Sequence, residues 1–95
     1  MKIHLGCGKR FLKGYYHVDC QRYPHVDHVS QINKLDFLED NRANEIYISH
    51  AFEYFDDAEA KEVLKEWNRI LKIGGKLRLS VPDFDALINV YKLTN

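Results

Sequence analysis

The sequence predicts an open α/β sheet whose parallel strands bring ligand-binding residues to one edge, and three observations predict it. The apolar run Ile3 to Leu5 ends in a Gly-x-Gly turn. A second run, Tyr15 to Val18, is followed by Asp19, and strand-like segments then alternate with an amphipathic helical segment. Glycines allow a ligand to approach the backbone, and a carboxylate accepts hydrogen bonds from ribose hydroxyls. This layout is typical of a nucleotide-type binding edge.

Length and composition indicate one globular domain, which we expect to span residues 1–95. Of the 95 residues, 45% are hydrophobic and 29% are charged, as is usual for such a domain. The formal net charge is zero, which argues against nucleic acid or an anionic membrane as a partner. No apolar run approaches the roughly 20 residues of a membrane span, and no signal peptide precedes the first strand. We therefore expect a cytoplasmic protein.

The cysteine and histidine spacings predict neither a disulfide scaffold nor a metal site. Cys7 and Cys20 are too few for such a scaffold and lack the C-x-x-C spacing of a zinc knuckle. His25 and His28 have no matching second pair of ligands. Half-buried histidines and thiols near strand ends are the expected interpretation.

Periodicity and turn residues predict the remaining elements of the first half of the chain. Residues 9–14 have room for about one helical turn, which would stop at Gly14. A weaker strand is predicted within residues 25–32. Residues 45–50 form the clearest strand in the sequence.

An amphipathic helix is predicted to begin after Asp56, which forms a capping box with Glu59. The pair Gly74-Gly75 is predicted to end it. Apolar residues recur along one side of this segment at helical spacing and are expected to be buried. They are Ala60, Val63, Leu64, Trp67, Ile70 and Leu71.

The C-terminal part of the chain is predicted to form a strand and a last helix. Residues 76–81 alternate apolar and polar side chains, which predicts a strand with one wet face or a strand at the sheet edge. Pro82 ends this strand. The last helix would begin at Asp83 or Asp85, and its buried residues would be Ala86, Leu87, Val90 and Tyr91.

Five segments, running from residue 2 to about residue 85, share the order and spacing of a known family. They are Ile3-His4-Leu5-Gly6-Cys7-Gly8, Val18-Asp19, the run from Glu45 through Ser49-His50 to Glu53, the run from Leu64 to Leu77, and Ser80-Val81-Pro82-Asp83. Together they resemble the class I S-adenosylmethionine-dependent methyltransferases of the small-molecule type. The combination is more specific than any single motif.

The resemblance implies a fold, a cofactor and a partner. The fold would be a Rossmann-like open, mostly parallel five-stranded sheet with helices on its faces, lacking the usual last two strands. The cofactor would be S-adenosyl-L-methionine, and the partner a small-molecule methyl acceptor. The implied cofactor-binding residues are Gly6, Cys7, Gly8, Asp19, Gln31, Ser49 and His50.

The resemblance also implies what the site residues do. Asp19 would take the ribose hydroxyls, and Gln31 or a neighbour would lie near the adenine. The implied catalytic residues are His50 and Glu53, which with Ser49 would face the methyl group. His50 would act as a general base for an acceptor that must lose a proton.

Several positions differ from the family pattern. His4 stands where the family usually has an acidic residue, and Arg10 stands where a third glycine is common. Gln31 replaces an aspartate that often contacts adenine, Tyr54 replaces a histidine, and Ile73 replaces a proline.

The chain is also shorter than is usual in this family, which predicts that residues 76–81 form an edge strand and that two copies form a homodimer. Three functional interpretations remain open. The chain is a small methyltransferase completed by dimerisation or a partner, a cofactor-binding module or partner subunit without its own activity, or a fragment with a fold and no activity. Retention of Ser49, His50 and Glu53 favours the first.

Overall fold

The computed structural model of the protein describes residues 1–49, 56–81 and 84–89. Within these ranges the chain forms six strands and one helix, in an α/β arrangement. The elements are β1 (Lys2–Leu5), β2 (Tyr15–Asp19), β3 (His28–Val29), β4 (Ala43–Ser49), α1 (Asp57–Ile70), β5 (Leu71–Val81) and β6 (Phe84–Asn89).

The strands form one sheet in the order β3-β2-β1-β4-β5-β6. The first five are parallel to their neighbours, and β6 is antiparallel to β5. Strand β1 lies inside the sheet and pairs with β2 on one side and β4 on the other. The chain reverses its direction of travel across the sheet after β3, as in doubly wound folds. The predicted Rossmann-like, open and mostly parallel sheet is confirmed, with six strands in the described residues where five were predicted.

One face of the sheet carries the hydrophobic core. Successive side chains of a strand point to opposite faces, so alternate residues of neighbouring strands in register share a face. On this face the strands and residues 35–38 pack with Val63, Trp67 and Ile70 of α1. The buried residues that the strands contribute are Ile3, Leu5, Val18, Ala43, Ile46, Ile48, Leu71 and Leu77.

Helix α1 begins as predicted and ends earlier. The Asp56 side chain accepts a hydrogen bond from the Glu59 N–H, and the Glu59 side chain accepts one from the Asp56 N–H, which confirms the capping box. The predicted end at Gly74-Gly75 is wrong, because Leu71 is already extended and starts β5. Pairing of Leu71 with β4 outweighs its fit to the helical spacing. No helix in the described ranges is both long and apolar enough to cross a membrane.

The two glycines lie instead in an irregularity between β4 and β5. Ala43 pairs with Leu71 and Glu45 pairs with Lys76, so β5 holds extra residues at this point. A Cβ on Gly75 would lie 2.8 Å from a backbone carbonyl oxygen of its own strand. Only glycine fits there, so the pair shapes a bulge in place of a helix cap.

Residues 84–89 are not helical. The predicted last helix is wrong over this range, because β6 pairs with residues 76–81 of β5 along its whole length. The hydrogen bonds between β5 and β6 satisfy backbone N–H and C=O groups that would be unpaired on an edge strand. Residues 76–81 are therefore not an edge, and the alternative prediction of a wet face explains their alternation. Asp83, Val90 and Tyr91 lie outside the described residues.

Turns replace the predicted helical turn over residues 9–14. The Arg10 N–H donates to the Cys7 carbonyl, and the Tyr15 N–H donates to the Leu12 carbonyl. Gly14 has φ +89° at the third position of the second turn, where positive φ favours glycine. The weak strand predicted within residues 25–32 is present as the two residues of β3.

The connection between β3 and β4 is held to α1 by buried and charged hydrogen bonds. The Trp67 indole N–H donates to the Ile32 carbonyl at 2.9 Å. The Arg69 guanidinium donates to the carbonyls of Leu35 and Leu38, and it pairs with the carboxylates of Glu66 and Asp40. One side chain thus ties a thirteen-residue connection, residues 30–42, to the helix.

We expect Arg69→Gln to lower the free energy of unfolding by about 2–3 kcal/mol, because several charge-assisted hydrogen bonds lose their donor. Urea unfolding followed by tryptophan fluorescence measures the change. Lys65→Gln is the matched control: Lys65 pairs with Glu62, and both side chains are 75% exposed, so we expect a loss below about 0.5 kcal/mol. Equal losses in the two variants would contradict the assigned role of Arg69.

Candidate functional site

The glycine turn follows β1 directly and lies against the end of β2. Gly6 and Gly8 have φ values of +64° and +58°, which other residues rarely adopt. The N–H groups of Gly6 and Cys7 both donate to the Val18 carbonyl, at 2.8 and 3.4 Å. The turn is therefore held to the strand that delivers Asp19.

Asp19 connects the glycine turn to the loop after β2. One carboxylate oxygen accepts the Gly8 N–H at 2.8 Å, and the other accepts the Gln21 N–H at 2.8 Å. The Asp19 side chain is almost fully buried. The two backbone N–H groups orient the carboxylate. Each of its oxygens can accept a further hydrogen bond, so Asp19 can also bind ligand hydroxyls.

The surroundings of Gly8 fit the implied cofactor. A Cβ built on Gly8 would meet nothing within 4 Å, so the backbone there faces open space. The Gly8 carbonyl accepts a hydrogen bond from Nε2 of His25 at 2.8 Å, which orients this peptide. A nucleoside could approach this backbone and place its ribose hydroxyls against the carboxylate of Asp19.

The other predicted site residues lie at the same end of the sheet or outside the described ranges. Ser49 ends β4 one residue beyond the partner of Leu5, so it lies beside the glycine turn. Gln31 is exposed, and its neighbour Ser30 donates its N–H to the Asp19 carbonyl at 3.0 Å. His50 and Glu53 lie outside the described residues. Gly6, Cys7, Gly8 and Asp19 are the predicted set that the structure brings into direct contact.

Cys7 is a buried member of the turn. Burial, with the negative charge of Asp19, raises the pKa of its thiol to about 11, so it is protonated at neutral pH and is a poor nucleophile. Its contribution to the site is the backbone geometry of the turn. Across the described residues, no three His, Cys, Asp or Glu side chains group as metal ligands.

The second face of the sheet is polar and aromatic. His4 is fully buried there and stacks on the ring of Tyr47, with the centroids 4.8 Å apart. Neither ring nitrogen of His4 has a hydrogen-bond partner among the described residues. Burial and the nearby His17, Arg10 and His25 lower the pKa of His4 to about 4, while Asp19 acts in the opposite direction. His4 is therefore neutral at physiological pH.

The segment after the glycine turn covers part of this second face. The Leu12 N–H donates to Nε2 of His17 at 3.0 Å, which leaves the ring hydrogen on Nδ1, towards Asp27 at 3.5 Å. The ring of Phe11 stacks on His17 at 5.2 Å although Phe11 is itself largely exposed. These contacts hold the turn against the sheet without a helix.

Tyr15 and Glu45 form a hydrogen-bonded pair across this face, with the tyrosine hydroxyl donating to the carboxylate. Burial and this bond raise the pKa of Tyr15 to about 12. Both residues oppose Lys2 in the register of β1.

Several residues around the site were not predicted from the sequence as site residues. They are His25, Arg10, Tyr15 and Tyr47. The alternation of polar and aromatic residues in β1, β2 and β4 was the available signal, since it places His4, His17 and Tyr47 on one face. This alternation could be interpreted only once the register of the strands was known.

The chain matches the model of a protein family described as methyltransferase domain. The match covers residues 13–79, more than half of the chain. It includes Asp19 and begins after the glycine turn. The chain matches no curated protein sequence.

Solved structures with the same fold come from an archaeon and a bacterium. One is a protein from Methanococcus maripaludis described as a candidate S-adenosyl-L-methionine-dependent methyltransferase, with a TM-score of 0.67 and 19% identity over 82% of this chain. The other is the YcgJ protein from Bacillus subtilis, with a TM-score of 0.63 and 17% identity over 82% of this chain. The chain spans less than half of both proteins, 46% and 42%.

We expect His4 to lower stability in acid. Its folded pKa of about 4 lies below its ordinary value of 6.5, so the unfolded state binds more protons as the pH falls from 6.5 towards 4, and stability is lost over that range. Relative to His4→Phe, which keeps a ring against Tyr47, the wild type should lose about 2 kcal/mol more between about pH 7.5 and pH 5. Urea unfolding at the two pH values measures this difference. Parallel pH curves would contradict it.

Proposed function

The chain belongs to the class I S-adenosylmethionine-dependent methyltransferases, and from this premise we propose that it binds S-adenosyl-L-methionine at the glycine turn and transfers the methyl group to a small-molecule acceptor. The observation that carries the proposal is the connection between Asp19 and Gly8. A buried carboxylate with spare acceptor capacity lies beside a backbone that faces open space.

The residues of the turn perform the binding. Gly6, Cys7 and Gly8 bring backbone close to the methionyl part of the cofactor, since two of the three carry no side chain. Asp19 would hold the ribose hydroxyls, because its carboxylate is already oriented by two backbone N–H groups. Gln31 lies on the loop after β3, and we propose that it lies near the adenine of the bound cofactor.

Methyl transfer depends chiefly on alignment of donor and acceptor. S-Adenosyl-L-methionine supplies, when bound, a methyl group on a positively charged sulfur. The protein would contribute by holding the acceptor and the bound cofactor in a reactive orientation, because fixing two reactants relative to each other lowers the entropic part of the barrier. Ser49, at the end of β4, reaches the same edge as the glycine turn. We assign His50 as the general base for acceptors that lose a proton, and Glu53 as its neighbour in the catalytic segment.

The alternative is a cofactor-binding module or partner subunit without activity of its own. The chain spans less than half of the related structures, which is the observation that favours it. Formation of S-adenosylhomocysteine with a panel of small acceptors separates the two functions. The enzyme forms product and His50→Ala reduces its rate, whereas the module binds cofactor and forms no product.

We expect Asp19→Asn to weaken the binding of S-adenosyl-L-methionine and S-adenosylhomocysteine by at least about tenfold. The amide keeps the size of the carboxylate but has one acceptor oxygen where the carboxylate has two, so backbone and ribose donors compete for it. Isothermal titration calorimetry measures the two dissociation constants, and circular dichroism checks that the variant is folded.

Asp27→Asn is the matched control. Asp27 also accepts a backbone N–H, that of His17 at 2.7 Å, but it lies at the end of the loop before β3, and within the described residues no hydrogen bond joins its side chain to the glycine turn. Its substitution should leave cofactor affinity within about twofold. Unchanged affinity in Asp19→Asn, or equal losses in both variants, would contradict the assigned pocket.

Two further proposals concern the state of the protein in the cell. We propose a cytoplasmic homodimer. Strand β6 occupies the edge from which the dimer was inferred, so a dimer would use another surface. Sedimentation velocity at micromolar concentration tests it, and a single monomeric species would contradict it.

A further inference from the structure

We propose that the second face of the sheet carries an anion-binding site for a phosphate or carboxylate group, formed by Arg10 and Arg78 around Tyr47. We call it the Tyr47 site, and it comprises these three residues with Lys2 and Lys76 at its margin. It is separate from the ribose-binding residues, and its test needs no nucleoside.

Two guanidinium groups converge on one ring. Arg10 donates to the Tyr47 hydroxyl at 3.2 Å, and its guanidinium carbon lies 5.8 Å from the ring centroid. Arg78, the partner of Tyr47 in the register of β5, has its guanidinium carbon 5.9 Å from the same centroid. Arginine presents several donors in a plane and suits bidentate contact with oxyanions.

The described residues neutralise the cations of this face only in part. Arg10, Arg78, Lys2 and Lys76 form no ion pair within the described ranges. Glu45 lies in register between Lys2 and Lys76 and accepts a hydrogen bond from the Tyr15 hydroxyl, and its formal charge offsets one of these four positive charges. A chain of zero formal charge thus concentrates positive charge on one face, where a bound anion would relieve the mutual repulsion of the two guanidinium groups.

Tyr47 and His4 form the buried base of the site. Tyr47 is almost fully buried and is stacked on His4, which is neutral because burial and neighbouring positive groups lower its pKa. The ring of Tyr47 is thereby fixed, and its hydroxyl holds Arg10 in place. Both ring nitrogens of His4, against Tyr47, are buried without a hydrogen-bond partner among the described residues, and a bound ligand or water commonly completes such groups.

The anionic group has two possible sources with one chemistry. It is either the carboxylate of the methionyl part of the cofactor, or a carboxylate or phosphate of the methyl acceptor. The Tyr47 site lies on the face that the strands β1 and β4 share, and both strands end beside the glycine turn, so either source is compatible with the sheet geometry.

Inorganic phosphate is the first probe, titrated at constant ionic strength so that general screening stays fixed. Amide chemical shifts in two-dimensional NMR report the position and the dissociation constant. We expect saturable binding with shifts at Arg10, Tyr47 and Arg78, and a loss of at least about tenfold in Arg10→Gln/Arg78→Gln. Arg78→Gln alone keeps the Arg10–Tyr47 hydrogen bond and should lose part of the affinity, which separates anion binding from an effect on folding.

Lys61→Gln/Lys65→Gln is the charge-matched control, since it removes two exposed cations from α1, on the opposite face. It should bind phosphate like the wild type. Absence of saturable shifts in the wild type, or equal weakening in both double variants, would overturn the proposal.

The source is identified with two nucleosides. S-Adenosylhomocysteine carries the amino acid carboxylate, and 5′-methylthioadenosine lacks it. If Arg10→Gln/Arg78→Gln weakens the binding of S-adenosylhomocysteine but not of 5′-methylthioadenosine, the site binds the cofactor carboxylate. If the variant binds both nucleosides like the wild type and no longer binds phosphate, the site binds the acceptor. Loss of nucleoside binding in Asp19→Asn with phosphate binding retained shows that the two sites are separable, so failure of one proposal is distinguishable from failure of the other.

Discussion

The pairing of β1 on both of its edges is the constraint on which the rest of the structure depends. Four residues, Lys2–Leu5, are in parallel register with β2 and with β4. Because the side-chain period of a strand is two, a slip of one residue would put His4 into the hydrophobic core and Ile3 on the polar face. The same register brings the glycine turn and Asp19 to one edge of the sheet. There the Asp19 carboxylate accepts the N–H groups of Gly8 and Gln21.

The two faces of the sheet do different work. The face under α1 buries the apolar residues and the indole of Trp67, and it supplies most of the hydrophobic stabilisation. The other face carries polar and aromatic residues, and a turn-containing segment covers part of it where about one helical turn was predicted. Doubly wound sheets are usually apolar on both faces. The polar face is the departure that most directly suggests ligand binding.

The buried polar groups of that face fall into two kinds. Asp19 and His17 accept backbone N–H groups and are oriented by them. His4, by contrast, has neither nitrogen satisfied by a described residue, at a cost of about 1–3 kcal/mol for each unsatisfied group. Such costs concentrate at functional sites, where a ligand or water completes the hydrogen bonds. This is consistent with both the cofactor pocket and the Tyr47 site lying on the His4 side of β1.

The sequence by itself determined the α/β class, the strands around the glycine turn, the capped start of α1 and the grouping of Gly6, Gly8 and Asp19. Each of these depends on local chemistry, namely turn glycines, capping residues and short-range periodicity. Tertiary structure alone decided the end of α1, the bulge at Gly75 and the conversion of residues 84–89 into β6. These depend on pairing with distant strands, which outweighs local propensity. The polar face likewise required the register, since alternation within one strand does not reveal which residues of its neighbours lie beside it.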